Sequence, residues 1–307
     1  MTDPPVVLVV GSINVDEVFA VRTLPRPGET VLSTSRSTGL GGKGSNQAVA
    51  LARMGVGVRM VAAVARDANG EFASRALRAE GVDLDLQLTP DDRTGEAIVL
   101  VASDGENSIV VSGGANLRLE AAHAARVVTE HPTAAAVLVQ GEIPSDAVMA
   151  ALSGPQGLRV LNPAPTGHIR SEHLAAATVI VPNRTELSQL TGRPVSNLVE
   201  IEAAVQQLDH DNVVVTLGAE GAYVAIREAP PTLVPAPKVT PVDTTGAGDT
   251  FCGALVGALV LGRPLLDAAR FAVQVAAAST RFVGAQTGMP TIDVARAWLP
   301  VDASAAD

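Results

Sequence analysis

The chain has 307 residues, is 47% hydrophobic and 18% charged, and carries a formal net charge of −10 at pH 7. That length and apolar content fill the core of one large α/β domain or two modest ones and exclude a disordered chain. The acidic balance opposes general binding to nucleic-acid backbones or anionic membranes, and an aromatic content of 2%, with Trp298 and Tyr223 single, removes the stacking platforms that single-stranded nucleic acid needs.

From the N-terminus, Met1 leads into the apolar run Val6–Val10 without a basic n-region, so no signal peptide is expected. Short, near-continuous apolar runs predict strands buried on both faces at Val6–Val10, Val58–Val64, Ala136–Gln140, Arg159–Leu161, Val179–Val181 and Val213–Thr216. Helical periodicity lies between them, at Ser45–Met54, Glu71–Glu80, Glu120–Glu130, Ser145–Leu152, Thr185–Leu190 and Val199–Leu208, and a further apolar helix opens at Thr250. This alternation indicates an α/β domain with a largely parallel sheet covered on both faces. Two segments break it. Glu17–Thr38 reads as a half-exposed strand pair around Leu24-Pro25-Arg26-Pro27-Gly28, and Thr94–Ser112 as a hairpin turning at Ser103-Asp104-Gly105-Glu106. We read residues 17–38 and 94–112 as one small sheet projecting as a lid from a main domain of residues 1–16, 39–93 and 113–307. The most apolar long stretch, Phe251–Leu261, is too short to span a bilayer. The single cysteine, Cys252, precludes an intrachain disulfide, suits a reducing cytoplasm and has the apolar company of a buried thiol.

The chemistry-bearing residues lie where predicted strands end. Gly11-Ser12-Ile13-Asn14-Val15-Asp16 follows the first strand, and the alternating Asn14 and Asp16 suit the vicinal hydroxyls of a sugar. Gly39-Leu40-Gly41-Gly42-Lys43-Gly44-Ser45-Asn46-Gln47 opens a helix. It is not a Walker A loop, because Gly44 follows the lysine and Ser37 stands where the first glycine would be. Bare backbone at Gly42, with Lys43 and Asn46, fits close approach to a polyhydroxylated ligand. Glu142, after the strand ending at Gln140, is a candidate acceptor for a sugar hydroxyl. Asn183 and Glu186 are either a helix cap or a pair that orders Mg²⁺ waters. Thr216-Leu217-Gly218-Ala219-Glu220-Gly221 is a strand-turn-strand able to cradle a nucleotide phosphate. The most informative run is Asp243-Thr244-Thr245-Gly246-Ala247-Gly248-Asp249-Thr250-Phe251. Small residues at a helix start let N–H groups converge on an anion, and Asp249 is placed to take a proton from an attacking hydroxyl. The alternative is a glycine-rich turn with Asp249 as an N-cap. The five histidines show no metal-ligand spacing.

Taken together, these motifs resemble the ribokinase (PfkB) family of carbohydrate kinases along nearly the whole chain. The most specific parts are Gly41-Gly42-Lys43-Gly44-Ser45-Asn46-Gln47-Ala48-Val49-Ala50, Asn162-Pro163-Ala164-Pro165 and the Asp243–Phe251 run. The resemblance implies a ribokinase-like three-layer α/β/α fold with a small β-sheet lid. It implies transfer of the ATP γ-phosphoryl group to the 5-hydroxyl of D-ribose, with Mg²⁺. Asp249 would be the base, and the backbone N–H groups of Gly246, Ala247 and Gly248 the anion hole. Asn14, Asp16, Gly42, Lys43, Asn46 and Glu142 would hold the sugar. Asn183, Glu186, Thr216, Gly218, Gly221 and Gly248 would serve the nucleotide and its Mg²⁺. A monovalent cation, usually K⁺, would be held by Asp243, Thr245, Ser279, Phe282 and Gly284, and two copies would pair through the lid. Three positions depart from the family pattern: Arg184 replaces a Glu, Val273 an Asn or His near the adenine, and Gly288 a cation-ligating Ser, with Thr287 as a candidate substitute. A kinase for deoxyribose, a ketohexose or a nucleoside, and a non-catalytic sugar-binding protein on this fold, are the alternatives.

Overall fold

The computed structural model describes residues 5–154 and 157–298. Its strands are β1 (Val6–Val10), β2 (Asn14–Val21), β3 (Ser33–Gly41), β4 (Gly57–Val64), β5 (Asp83–Leu88), β6 (Gly95–Ala102), β7 (Asn107–Ser112), β8 (Ala136–Gln140), β9 (Leu158–Asn162), β10 (Val179–Ile180), β11 (Asn212–Thr216), β12 (Ala222–Ile226) and β13 (Thr232–Val234). Its helices are α1 (Lys43–Arg53), α2 (Ala68–Ala79), α3 (Ala121–Glu130), α4 (Ser145–Leu152), α5 (Ser171–Ala176), α6 (Arg184–Thr191), α7 (Leu198–Leu208), α8 (Ala247–Val260), α9 (Leu265–Ser279) and α10 (Ile292–Trp298).

The main sheet has the order β13-β12-β11-β10-β9-β8-β1-β4-β5. The strands from β11 to β5 pair in parallel, and β12 and β13 close one edge antiparallel. Successive side chains of a strand point to opposite faces, so β1 feeds two cores. Val7 and Val9 pack with residues of α1, α8 and α9, while Leu8 and Val10 pack with residues of α3 and α4. Helices thus cover both faces of a sheet whose central strands are buried, as their unbroken apolar runs require.

The small sheet has the order β3-β2-β6-β7. β2 pairs antiparallel with β3 and parallel with β6. Only Gly11, Ser12 and Ile13 separate the end of β1 from the start of β2, so the chain leaves the main sheet and enters the small one across the same few residues. Asn14 and Asp16 therefore stand on β2 itself, not in a loop.

Several elements differ from the sequence expectation: the short β13, α5 and α10 lie outside it, as do β5 and α9, while α8 starts early. β5 is an edge strand, half exposed, and its Asp83-Leu84-Asp85-Leu86 alternation marks it in hindsight. α9 is Ala-rich with a Pro264 N-cap and no side-chain cap signal. α8 opens at Ala247, earlier than Thr250, because Gly246 adopts φ 74° and turns the chain into the helix. Asp249 therefore sits in the first turn of α8 and is not its N-cap.

α8 is buried from Thr250 to Ala258 and lies against α1 at glycine contacts. A Cβ at Gly253 would stand 2.5 Å from the Ala50 Cβ and 3.0 Å from the Gln47 carbonyl. Gly253→Ala should destabilise the protein by about 1–3 kcal/mol through overpacking, visible as a lower thermal midpoint. An unchanged midpoint would show that the two helices are not held at this spacing.

Candidate active site

Four segments meet beyond the carboxyl edge of the main sheet: the β1–β2 crossing, the loop after β8, the start of α1 and the start of α8. α1 opens at Lys43 with no side-chain N-cap of its own. Its first amides are met from outside: Glu142 Oε2 accepts from the Lys43 N–H at 3.0 Å, and Ser12 Oγ accepts from the Gly44 N–H at 3.3 Å. Ser12 Oγ in turn donates to Glu142 Oε2 at 2.5 Å. Glu142 Oε1 lies 3.4 Å from Lys43 Nζ, so one carboxylate caps the helix and pairs with its first side chain. Gly42 must be glycine for two reasons: its φ is 87°, and a Cβ there would stand 2.8 Å from the Asn14 nitrogen.

Asp249 reaches across to α1. Its Oδ2 accepts from Asn46 Nδ2 at 2.9 Å, and its Oδ1 accepts from Gln47 Nε2 at 3.0 Å. Burial pushes the Asp249 carboxyl up to about 6 against the pull of Lys43, Asn46 and Gln47, and Glu142 adds to the rise. Asp16 is likewise pushed up to about 6, first by burial and then by the charges of Glu142 and Asp249, against Lys43. Its Oδ1 is buried without a hydrogen-bond partner. A Cβ at Gly41 would fall 2.1 Å from both Asp16 oxygens, so bare backbone makes room for that carboxylate. Burial works against the Lys43 ammonium, but Glu142, Asp249 and Glu186 outweigh it and raise its pKa. The site is one firmly charged lysine among four carboxyl groups. Such a set can hold hydroxyls and accept a proton near neutral pH.

The nucleotide-side candidates lie along the ends of β10 and β11. Asn183 and Glu186 form a reciprocal capping box on α6: Asn183 Oδ1 accepts from the Glu186 N–H at 2.9 Å, and Glu186 Oε2 from the Asn183 N–H at 2.8 Å. Burial raises the Glu186 carboxyl, with Asp249 adding and Lys43 opposing. Thr216 stands beside Asn183 in an isolated parallel bridge. Gly218 and Gly221 take φ of 59° and 102°, and a Cβ at Gly221 would meet the Val234 carbonyl at 2.0 Å. In the α8 turn the Ala247 N–H donates to the Thr244 carbonyl at 3.2 Å. Gly248 opens onto free space.

Asp243 ties two loops together. Its Oδ1 accepts from the Thr245 N–H at 2.9 Å and its Oδ2 from the Gly284 N–H at 2.8 Å. Burial opposes its ionisation, but these hydrogen bonds prevail and lower its pKa. The carbonyls of Ser279 and Gly284 converge on Gly288, where a Cβ would lie 2.5 Å and 3.4 Å from them. The Phe282 side chain is exposed.

The pfkB family carbohydrate kinase model matches residues 5–292. The chain belongs to the pfkB family of carbohydrate kinases. It is 38% identical to a ribokinase of Bacillus subtilis over 289 residues, covering 93% of this chain and 96% of that protein. It is 32% identical to a deoxyribokinase of Salmonella typhi, covering 94% of this chain and 96% of that one. The structure of Arabidopsis thaliana ribokinase complexed with ribose and ATP superposes with a TM-score of 0.87 at 32% identity, over 97% of this chain and 99% of that chain.

In this kinase the departures have local explanations. Arg184 extends to Glu220 at 2.6 Å and to the Val195 carbonyl at 3.0 Å, so the reversed charge is answered by a carboxylate on the Gly218–Glu220 turn. Val273 is 4% exposed and belongs to the apolar core. A serine at 288 would not fit without a backbone shift, and Thr287 donates its hydroxyl to the Val283 carbonyl.

The sequence reading left several site residues without a role. Asn116 is 2% exposed, accepts from the Ile13 N–H at 2.9 Å and donates to Asn14 Oδ1 at 2.8 Å, which fixes the Asn14 amide. Gln286 Nε2 donates to Asn46 Oδ1 at 2.9 Å. Gln47, Gln140 and Asn162 form a buried amide cluster behind Asp249. Their one signal was polarity at positions that the apolar pattern places inside.

A carboxyl raised in the fold stabilises the protein below its unfolded pKa and loses that contribution as pH rises through about 6. Asp16→Asn removes this loss. It should be more stable than wild type at pH 8 by on the order of 1–3 kcal/mol, read as a higher thermal midpoint, and the gap should close as pH falls to about 4. A pH-independent gap would remove the charge penalty as its cause.

Proposed function

We propose that this kinase transfers the γ-phosphoryl group of ATP to the 5-hydroxyl of D-ribose, giving ribose 5-phosphate and ADP. The observation that carries the reading is the Asp249 carboxylate, pushed up to about 6, held by two amides in the first turn of α8 and grouped with Asp16, Lys43 and Glu142. Asp249 accepts the proton of the sugar 5-hydroxyl as that oxygen attacks the γ-phosphorus, and the bond from phosphorus to the bridging oxygen of ADP breaks. The amides of Gly246, Ala247 and Gly248 and the positive end of α8 receive the charge that develops on the phosphoryl oxygens. For Ala247 this requires its N–H to leave the Thr244 carbonyl.

Asn14, Asp16, Gly42, Lys43, Asn46 and Glu142 hold the sugar hydroxyls, and Lys43 offsets part of the negative charge that faces the incoming nucleotide. The Gly218–Gly221 turn and Thr216 hold the nucleotide, with Asn183 beside them. No group of three potential metal-ligating side chains occurs among the described residues. The oxygen donors of Glu186 and Asn183, side by side at the start of α6, suit a Mg²⁺ that arrives with the phosphates and keeps its waters. When bound, Mg²⁺ neutralises phosphate charge. The converging Ser279 and Gly284 carbonyls, next to Asp243, fit a monovalent cation, with Thr245 and Phe282 supplying further backbone oxygens. The small sheet acts as a lid that excludes water, and its exposed Ile109, Val110 and Val111 pair it with a second copy. No described helix is long and apolar enough to cross a membrane. The compartment we propose is the reducing cytoplasm, on the ground of the single buried thiol, Cys252.

A deoxyribokinase among the relatives makes 2-deoxyribose the rival acceptor. ADP production with MgATP, a sugar panel and K⁺ present or absent decides between them. Ribose should give the highest kcat/KM, and a clear preference for another sugar would move the substrate. Asp249→Asn should lower kcat by about 10²–10⁴-fold while sugar and ATP still bind. Near-normal turnover in that variant removes Asp249 as the base. The wild-type kcat/KM should fall below about pH 6 as Asp249 becomes protonated.

A further inference from the structure

The Asp249 carboxylate is gripped by adjacent residues of α1, and both grips are braced from behind: Asn46 by Gln286 alone, Gln47 by two buried amides. Gln47 Nε2 donates to Asp249 Oδ1 and to Asn162 Oδ1, both at 3.0 Å. Gln47 Oε1 accepts from Gln140 Nε2 at 2.7 Å. Asn162 Nδ2 donates to the Val181 carbonyl at 2.8 Å, which leaves Asn162 Oδ1 facing Gln47.

A side-chain amide turns end for end at little steric cost, because its oxygen and its nitrogen are nearly the same size. Here a turned Gln47 would set its oxygen against the Asp249 carboxylate and the Asn162 oxygen. Its NH₂ would then face the Gln140 NH₂. Three hydrogen bonds would become three repulsive contacts. Gln47 and Gln140 are fully buried and Asn162 is 8% exposed, so solvent does not relieve the conflict. The three residues therefore fix which end of the Gln47 amide Asp249 meets.

The brace carries a cost that packing alone does not explain. Gln140 Oε1 is buried without a partner, against a Gly11 whose Cβ would lie 1.9 Å from it. A methionine of the same length at 140 would avoid the orphaned acceptor.

Resting on the reading of Asp249 as the base, we propose that Gln47, braced by Gln140 and Asn162, is a positioning residue that sets the orientation of the Asp249 carboxylate toward the attacking hydroxyl. The ionisable groups that act on Asp249 are Lys43 of α1 and Glu142 after β8, and Asp16 of β2, Glu186 of α6 and the buried Cys252 thiol of α8 feel the Asp249 charge in turn. All of them remain in the variants that test the proposal, and only the amide donor is lost.

The test compares wild type with Gln47→Met and Gln140→Met, both near-isosteric. It reads kcat, KM for ribose and ATP, the pH profile of kcat, and the ¹³C carboxyl titration of Asp249, whose signal is assigned by its loss in Asp249→Asn. Gln140→Met leaves every atom in contact with Asp249 in place and removes one of the three contacts that hold the Gln47 amide in its orientation, leaving Gln47 Oε1 without its donor. Gln47→Met should lose about ten-fold or more in kcat with KM changed by less than about two-fold, and Gln140→Met, which loosens the Gln47 amide without removing it, should lose about two- to three-fold in kcat with the same unchanged KM. In Gln47→Met the Asp249 titration and the acidic limb of kcat should move up by on the order of half to one pH unit, because a carboxylate that loses a donor binds its proton more tightly, and in Gln140→Met, where that donor is only loosened, they should move the same way by less. A purely structural role would lower the thermal midpoint without moving that titration, and this outcome overturns the proposal. So does wild-type kcat with an unmoved limb in folded Gln47→Met. If Gln47→Met does not fold, Gln140→Met decides by the same two readings. An active Asp249→Asn would instead remove the base itself and the proposal with it, a failure seen in a different variant.

Discussion

Too few cations for the buried carboxylates is the constraint around which the rest of the site is arranged. Lys43 faces Glu142, Asp249 and Glu186 directly enough for all three to raise its pKa, and Asp16 lies within reach of the same lysine. One ammonium cannot neutralise four carboxyl groups, and burial penalises each charge. Asp16 and Asp249 rise to about 6 as a result. Glu142 is held differently, by the Ser12 hydroxyl and the Lys43 N–H, at the positive end of α1. Similar carboxyl groups thus sit in different environments within a few ångströms, as a site that must both bind hydroxyls and accept a proton requires.

The topology explains why these groups meet. Parallel strands place their carboxyl ends on one side, so the residues after β1, β8 and β9 emerge together. The chain then crosses from β1 to β2 within three residues and carries Asn14 and Asp16 out onto the small sheet. Glycines at 41, 42 and 253 let backbone approach backbone or carboxylate where any side chain would collide. The small sheet is anchored to the main one at more than the chain crossing. Asn116 bonds both the N–H and the carbonyl of Ile13, and Asp67 accepts from the Thr94 N–H and hydroxyl just before β6. In the proposed cycle these anchors are the fixed points about which a lid would move, and they lie at the sugar side of the site.

The two sheets also differ in surface. The main sheet is sealed by helices on both faces, whereas every residue of β7 is exposed. An exposed apolar edge strand of this kind is a liability unless something covers it. A second copy of the chain would do so, and this links the proposed pairing to the same sheet that carries the sugar-facing residues.

Much of this was legible in the sequence. The central strands are buried on both faces, so their apolar runs announced them, and the glycine-rich starts of α1 and α8 marked the site through their composition. What could not be read was β5, whose edge position halves its apolar signal, and α9, whose alanines carry no cap. The amide cluster behind Asp249 was equally hidden. Gln47 and Asp249 are 202 residues apart, and a polar residue at an inward position does not name its partner until the elements packed around it are known. The same holds for the raised carboxyls of Asp16 and Asp249. A side chain's type is local, but desolvation and facing charge depend on every element packed around it. The sequence by itself determined which residues could do chemistry and in what family of fold. Only the tertiary structure decided which of them are buried, which are braced, and which stand close enough to shift one another's protons.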